Sequence, residues 1–105
     1  MAARISYAPR DCLTVWPTGI VKPGIPPKWG ERAEGLAAWV VLMEARLRRD
    51  RTNVAALARD MDVSRASIDT LLRGQTWPRF DLLVSMSRAM HYWDIWSELA
   101  ARWEP

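Results

Sequence analysis

The chain carries very little with which to do thiol, redox or metal chemistry. Its 105 residues include one cysteine, Cys12, and one histidine, His91. A lone thiol closes no internal disulfide and reads as inert or weakly buried, and no Cys/His spacing of a zinc site is present. Gly-rich phosphate loops are missing. No serine sits in a nucleophile motif, so a triad built on His91 has no partners that the sequence can point to. His91 and Asp94 are all that favours an enzyme, and neither a catalytic role nor a cofactor is expected. No apolar run approaches the roughly 20 residues of a membrane span. The opening "MAARISYAPRD" lacks the apolar core of a secretory signal, so a cytoplasmic protein, nucleoid-associated if it binds DNA, is expected. Lysine is scarce as well. Only Lys22 and Lys28 accompany the arginines among 15 basic residues, a bias that fits a GC-rich genome.

What is present is apolar surface and an uneven charge. Half of the residues are hydrophobic and 26% charged, enough for one packed domain of this length. Residues 1–30 hold four basic and one acidic side chain, residues 31–79 nine and seven, and residues 80–105 two and four. A basic front and an acidic tail suit a domain that meets an anion at one end, although an ordinary solvated surface also fits a net charge of +3.

Residues 1–30 read as an irregular, Pro-rich N-terminal arm. Prolines 9, 17, 23, 26 and 27 argue against a long helix there. The runs "CLTVW" and "GIV" suit extended segments that pack Val15, Trp16 and Ile20 on the domain. The alternative is a basic arm lying along DNA phosphates; high apolar content favours packing or partial disorder.

From residue 31 to residue 105 the pattern is helical, and a compact all-α bundle of about five helices is expected. In "ERAEGLAAWVVLMEARLRR" the stripe Leu36, Trp39, Val40, Met43, Leu47 recurs at three- and four-residue steps. Glu31 and Glu34 would sit in the first turn and Arg46, Arg48 and Arg49 in the last, complementing the dipole. Asn53 can cap "VAALARDM", whose apolar side is Val54, Leu57, Ala58 and Met61. Ser64 can cap the next helix, with Ile68, Leu71 and Leu72 inward and Gly74 as its stop. A fourth helix from about Arg79 to Met90 would bury Phe80, Leu83, Val84, Met86 and Met90. "WDIWSELAARW" reads as a last short helix.

Two short helices joined by three or four residues form a helix-turn-helix pattern, with its core at about residues 53–73. Here "NVAALARDMDVSRASIDTLLRGQTWPRFDLLVSMSRAM" resembles the Cro/λ-repressor-like (XRE-type) DNA-binding family. The matched positions are Leu57-Ala58, Asp62-Val63-Ser64, Ile68, Gly74 and Pro78. "RGQTWP" is also similar to small regulators of actinobacteria and their phages. Three positions depart from the family pattern. Val54 stands where the family often has a glutamine, which weakens side-chain clamping of a phosphate there; the other two touch the scaffold. Asp62 stands where glycine usually gives a left-handed turn residue, a conformation that Asp tolerates. Leu72 stands where a glutamate often pairs with an arginine of the first helix, and apolar packing against Trp39, Val40 or Met43 can replace that pair.

The resemblance implies a sequence-specific double-stranded DNA-binding transcriptional regulator, repressor-like, with residues 64–73 in the major groove. Arg65, Ala66, Asp69 and Thr70 would then read bases. Arg65 is the natural bidentate partner of guanine, Ala66 suits a thymine methyl, and Asp69 can take a cytosine amine or orient Arg65 or Arg73. The bland reading of Arg65 is a solvated surface arginine. Phosphate contacts would come from Asn53 at the start of the second helix, from Ser64 and Ser67, and from Arg73, Gln75, Thr76 and Arg79. Trp77 reads as a lid over the core in preference to a base-stacking residue. Trp93, Trp96, Leu99 and Trp103 form an apolar stripe that suits a homodimer contact or a protein partner. The rival reading is therefore an interaction module, such as a phage or plasmid factor or an antitoxin, using that tail or the arm.

Overall fold

A computed structural model describes residues 7–89, and within them the chain is all-α, with four α-helices and no strand. Helix α1 spans Pro27–Arg49, α2 Val54–Met61, α3 Arg65–Leu72 and α4 Phe80–Ala89. The expected fifth helix, and with it Trp93, Trp96, Leu99 and Trp103, lies outside the described residues. No helix among the described residues is long and apolar enough to cross a membrane.

Helix α1 starts four residues earlier than the sequence pattern indicates, inside the segment read as arm. Pro26 is its N-cap and Pro27 its first helical residue. Proline is well suited to that place, since its fixed φ is already helical and the N–H it lacks would have had no partner. The Pro26 carbonyl accepts from the Trp29 and Gly30 N–H groups at 3.0 Å each. The earlier start moves Glu31 and Glu34 beyond the first turn, which holds no acidic residue. At the other end Arg46, Arg48 and Arg49 occupy the last turn, as expected. The Thr52 N–H then closes the helix on Leu47 O at 3.0 Å, with Arg51 left-handed at φ 53°.

Two apolar faces, not one, run along α1. Leu36, Trp39, Val40, Leu42, Met43 and Leu47 join Leu57, Ala58, Ile68, Leu71, Leu72 and Met86 in the main core. Leu72 is thus buried in the same cluster as Trp39, Val40 and Met43, the apolar packing expected of it. The second face, Ala33 and Ala37, buries Cys12 and Leu13 of the arm. Small residues one turn apart let the arm backbone approach α1 closely.

The arm is folded over the residues described. A short 3-10 helix at Pro9–Cys12 leads into a single antiparallel bridge between Leu13 and Val21. The Trp16–Pro17 peptide is cis. Trp16 packs against both clusters, whereas Val15 and Ile20 do not pack as expected: they are 59% and 74% exposed at the far side of the bridge. The residues between the two bridge partners form bends and a turn, closed by Gly19 N–H to Val15 O at 2.8 Å, so this part of the arm is a loop and not the extended segment expected. Tyr7, Trp29 and Trp77 complete the second cluster, with ring centroids 5.9 Å apart for Tyr7–Trp29 and 5.7 Å for Trp29–Trp77.

Helix α4 packs on α2. Its buried side is carried by Met86 and Ser87, with Leu82, Leu83 and Ala89 partly buried against the core. Phe80 is 79% exposed, contrary to the stripe read from the sequence. As the first helical residue it has no preceding turn of its own helix to lean on.

Candidate nucleic-acid interface

Helices α2 and α3 are fixed relative to one another by their ends. Asn53 Oδ1 accepts from the Ala56 N–H at 2.9 Å, taking one of the unpaired donors of the α2 N-terminus. Asp62 ends α2 with φ 57° and ψ 45°, the left-handed conformation expected of it. The turn closes through Val63 N–H to Ala58 O at 3.0 Å, so Val63 points back to the core and the chain reverses within three residues.

Ser64 caps α3. Its Oγ accepts from the Ser67 N–H at 3.2 Å and lies 2.7 Å from Ser67 Oγ. Both hydroxyls named as phosphate contacts are therefore exposed and coupled to each other. Ile68, Leu71 and Leu72 face inward, which turns the start of α3 to solvent. Arg65, Ala66 and Ser67 are exposed, while Asp69 and Thr70 are half-buried. Arg65 Nε lies 3.4 Å from Asp69 Oδ2, one turn along. Asp69 is thus paired with Arg65, one of the partners considered for it above. Thr70 differs from the expectation of an outward hydroxyl, because its Oγ1 donates to Ala66 O at 2.6 Å. Oxygen lone pairs remain on Thr70, but its proton is taken by its own helix.

The C-terminal end of α3 is closed completely. Four carbonyls at a helix end have no intrahelical partner; here each finds one. Asp69 O accepts from Arg73 N–H at 3.0 Å, Thr70 O from Gln75 N–H at 3.1 Å, and Leu71 O from Gly74 N–H at 3.1 Å. Leu72 O accepts from the Trp16 indole N–H at 2.8 Å, a donor supplied by the arm. The arm makes two further ties to the same end: Arg10 N–H to Gly74 O at 2.9 Å, and Trp77 indole N–H to Tyr7 O at 2.6 Å. Gly74 is left-handed at φ 68°, and a Cβ there would lie 2.5 Å from the Trp16 ring. The residue therefore needs glycine both for its backbone and for the indole beside it.

Beyond α3, an open groove runs between Ala66, Ser67 and Thr70 on one side and Thr76 to Arg79 on the other, with Leu71 and Leu82 at its floor. Gln75, Thr76 and Arg79 are exposed, and Arg79 pairs with Asp81 at 3.2 Å. Arg73 is exposed. Trp77 is half-buried against both clusters, in keeping with a lid and not a stacking platform. The structure thus gathers Ser64, Arg65, Ala66, Ser67, Asp69 and Thr70 on α3, with Arg73 to Arg79 at its far end. Asn53 stands apart at the start of α2.

Cys12 is fully buried, deeper than the sequence suggested, and donates toward Ala8 O at 3.6 Å. Burial, reinforced by Asp11, pushes its thiol pKa up, while Lys22 pulls the other way. The protonated form is unreactive, so Cys12 serves packing. Sequence reasoning missed Arg10 and Trp16 at the α3 end; the only signal was an arm too apolar and Trp-rich to be a free tail. A scan against protein-family models and searches of curated proteins and of solved structures each gave no match.

Proposed function

We propose that this chain is a sequence-specific double-stranded DNA-binding transcriptional regulator of the Cro/λ-repressor-like kind. In this reading α2 and α3 form a helix-turn-helix and α3 enters the major groove. The observation that carries the reading is the orientation of α3. Its apolar side is locked into the core through Ile68, Leu71 and Leu72, while Arg65 and Ala66 stand exposed at its start. Arg65, oriented by Asp69, presents a fork suited to the N7 and O6 acceptors of guanine. Ala66 offers a methyl-sized contact to thymine. Ser64 and Ser67 at the start of α3, Arg73, Gln75, Thr76 and Arg79 toward its far end, and Asn53 at the start of α2 supply phosphate contacts, which set register without reading sequence. A homodimer would read two half-sites about one helical turn, roughly 34 Å, apart.

Selection from a random duplex pool at physiological salt tests this directly. Enrichment of a defined site is expected, and Arg65→Ala should relax preference at one base pair by about 1–3 kcal/mol. Arg73→Ala should weaken all sequences alike. No enrichment, or equal losses on selected and random DNA for both variants, would refute base reading by α3.

The second reading, a protein-interaction module, draws on Val15, Ile20 and Phe80, large apolar side chains left exposed. A tight protein partner combined with salt-insensitive or absent DNA affinity would favour it.

A further inference from the structure

The arm adds a charge as well as hydrogen bonds to the end of α3. The Arg10 N–H is bonded to Gly74 O at 2.9 Å, which seats Arg10 beside Arg73 although 63 positions separate them in sequence. Both side chains are exposed. Neither guanidinium has a hydrogen-bond or ion-pair partner among the described residues. Arginines at a helix C-terminus ordinarily serve its unpaired carbonyls. At α3 those carbonyls are already filled by the N–H groups of Arg73, Gly74 and Gln75 and by the Trp16 indole. Two exposed arginines without a partner among the described residues therefore stand on two chain segments that the Arg10–Gly74 bond joins.

We infer that Arg10 is a phosphate-binding residue that forms, with Arg73, a two-segment clamp on the nucleic-acid backbone at the C-terminal end of α3. This inference rests on the DNA-binding reading and extends it to the arm, outside helices α1 to α4. The ligand is a phosphodiester oxygen pair, for which the arginine fork is well shaped. Asp11 follows in sequence and is also exposed, yet makes no ion pair with Arg10 among the described residues. Trp16 acts as a positioning residue: its bond to Leu72 O holds the arm, and hence Arg10, in place.

Arg10→Ala keeps the backbone N–H, so the tie to Gly74 and the fold should survive, as thermal unfolding will verify. Binding to a random-sequence duplex is measured across a range of salt for the native chain, Arg10→Ala, Arg10→Lys and Arg73→Ala. The slope of log affinity against log salt should become shallower by about 0.9 for each alanine variant, the signature of one phosphate contact. Arg10→Lys should restore the slope, since charge and not packing is at issue. An unchanged slope for Arg10→Ala, with Arg73→Ala reduced, overturns the clamp and leaves the DNA reading standing. Absence of duplex binding by the native chain overturns both.

Discussion

The two ends of α3 are held by different means. The N-terminal end is capped from within, by Ser64 three residues before the N–H it serves. The C-terminal end is completed from outside, by a tryptophan 56 positions away. The first end stays open to solvent and offers its side chains to a ligand. The second is covered by the arm and cannot shift without moving it. Such an asymmetry suits a helix that offers its exposed face to a ligand, because that face is useful only if something else fixes the helix behind it. If the contrast is right, damage at the far end should cost more stability than damage at the near end.

The largest effect is expected at Gly74. Alanine would meet a left-handed backbone and place its Cβ 2.5 Å from the Trp16 ring. Backbone strain of about 1–3 kcal/mol and overpacking of similar size add up. Gly74→Ala should therefore lower unfolding free energy by roughly 2–6 kcal/mol in a denaturant titration. It should also displace Trp16, visible as a change in tryptophan emission. A loss below about 0.5 kcal/mol, the ordinary surface range, would mean that the arm is not seated on α3.

Trp16→Phe comes next. Phenylalanine keeps an aromatic ring in place but removes the indole N–H, leaving Leu72 O without its donor. An unsatisfied carbonyl costs about 1–3 kcal/mol. Amide exchange should rise at Gly74 and Gln75, the N–H groups that close the same helix end, while the amide of Ala56 at the start of α2 keeps its rate. Uniform acceleration at all three would show a general loss of stability and remove the specific link between arm and α3.

This difference between the ends also explains what could be read from the sequence. Asn53, Ser64 and the left-handed Asp62 act on residues within four positions of themselves, so a linear pattern contains both partners of each contact. The ends of α2 and α3 were accordingly legible, as was the inward set Ile68, Leu71, Leu72. In sequence Pro26 and Pro27 read as breakers because proline stops a helix interior; at the first turn the same ring starts one. Phe80 departs from its stripe because periodicity carries no information about where the first member of a stripe falls relative to the neighbouring helix. The bonds from Trp16 to Leu72, Arg10 to Gly74 and Trp77 to Tyr7 have no local signature at all. They depend on where the arm crosses α1, which is set by the small side chains Ala33 and Ala37. Helical periodicity assigned a single stripe to α1, so its second face, and the arm it binds, stayed hidden.

The smallest stability effect belongs to the near end, and there stability and binding can be separated. Ser64→Ala removes the acceptor for the Ser67 N–H and the partner of the Ser67 hydroxyl, a loss of about 1 kcal/mol. Because the cap is exposed, water can replace part of it, and the loss should fall below that of Trp16→Phe. Ser64→Asp is the sharper variant. An aspartate accepts from the same N–H and complements the helix dipole, so stability should match or exceed that of the native chain. Its charge would nevertheless face any phosphate approaching the start of α3, and duplex affinity should fall, most steeply at low salt. Equal stability with lower affinity places the anion at this open end. Unchanged affinity at every salt concentration would move the phosphate path away from Ser64 and leave the clamp at the far end as the main electrostatic contact.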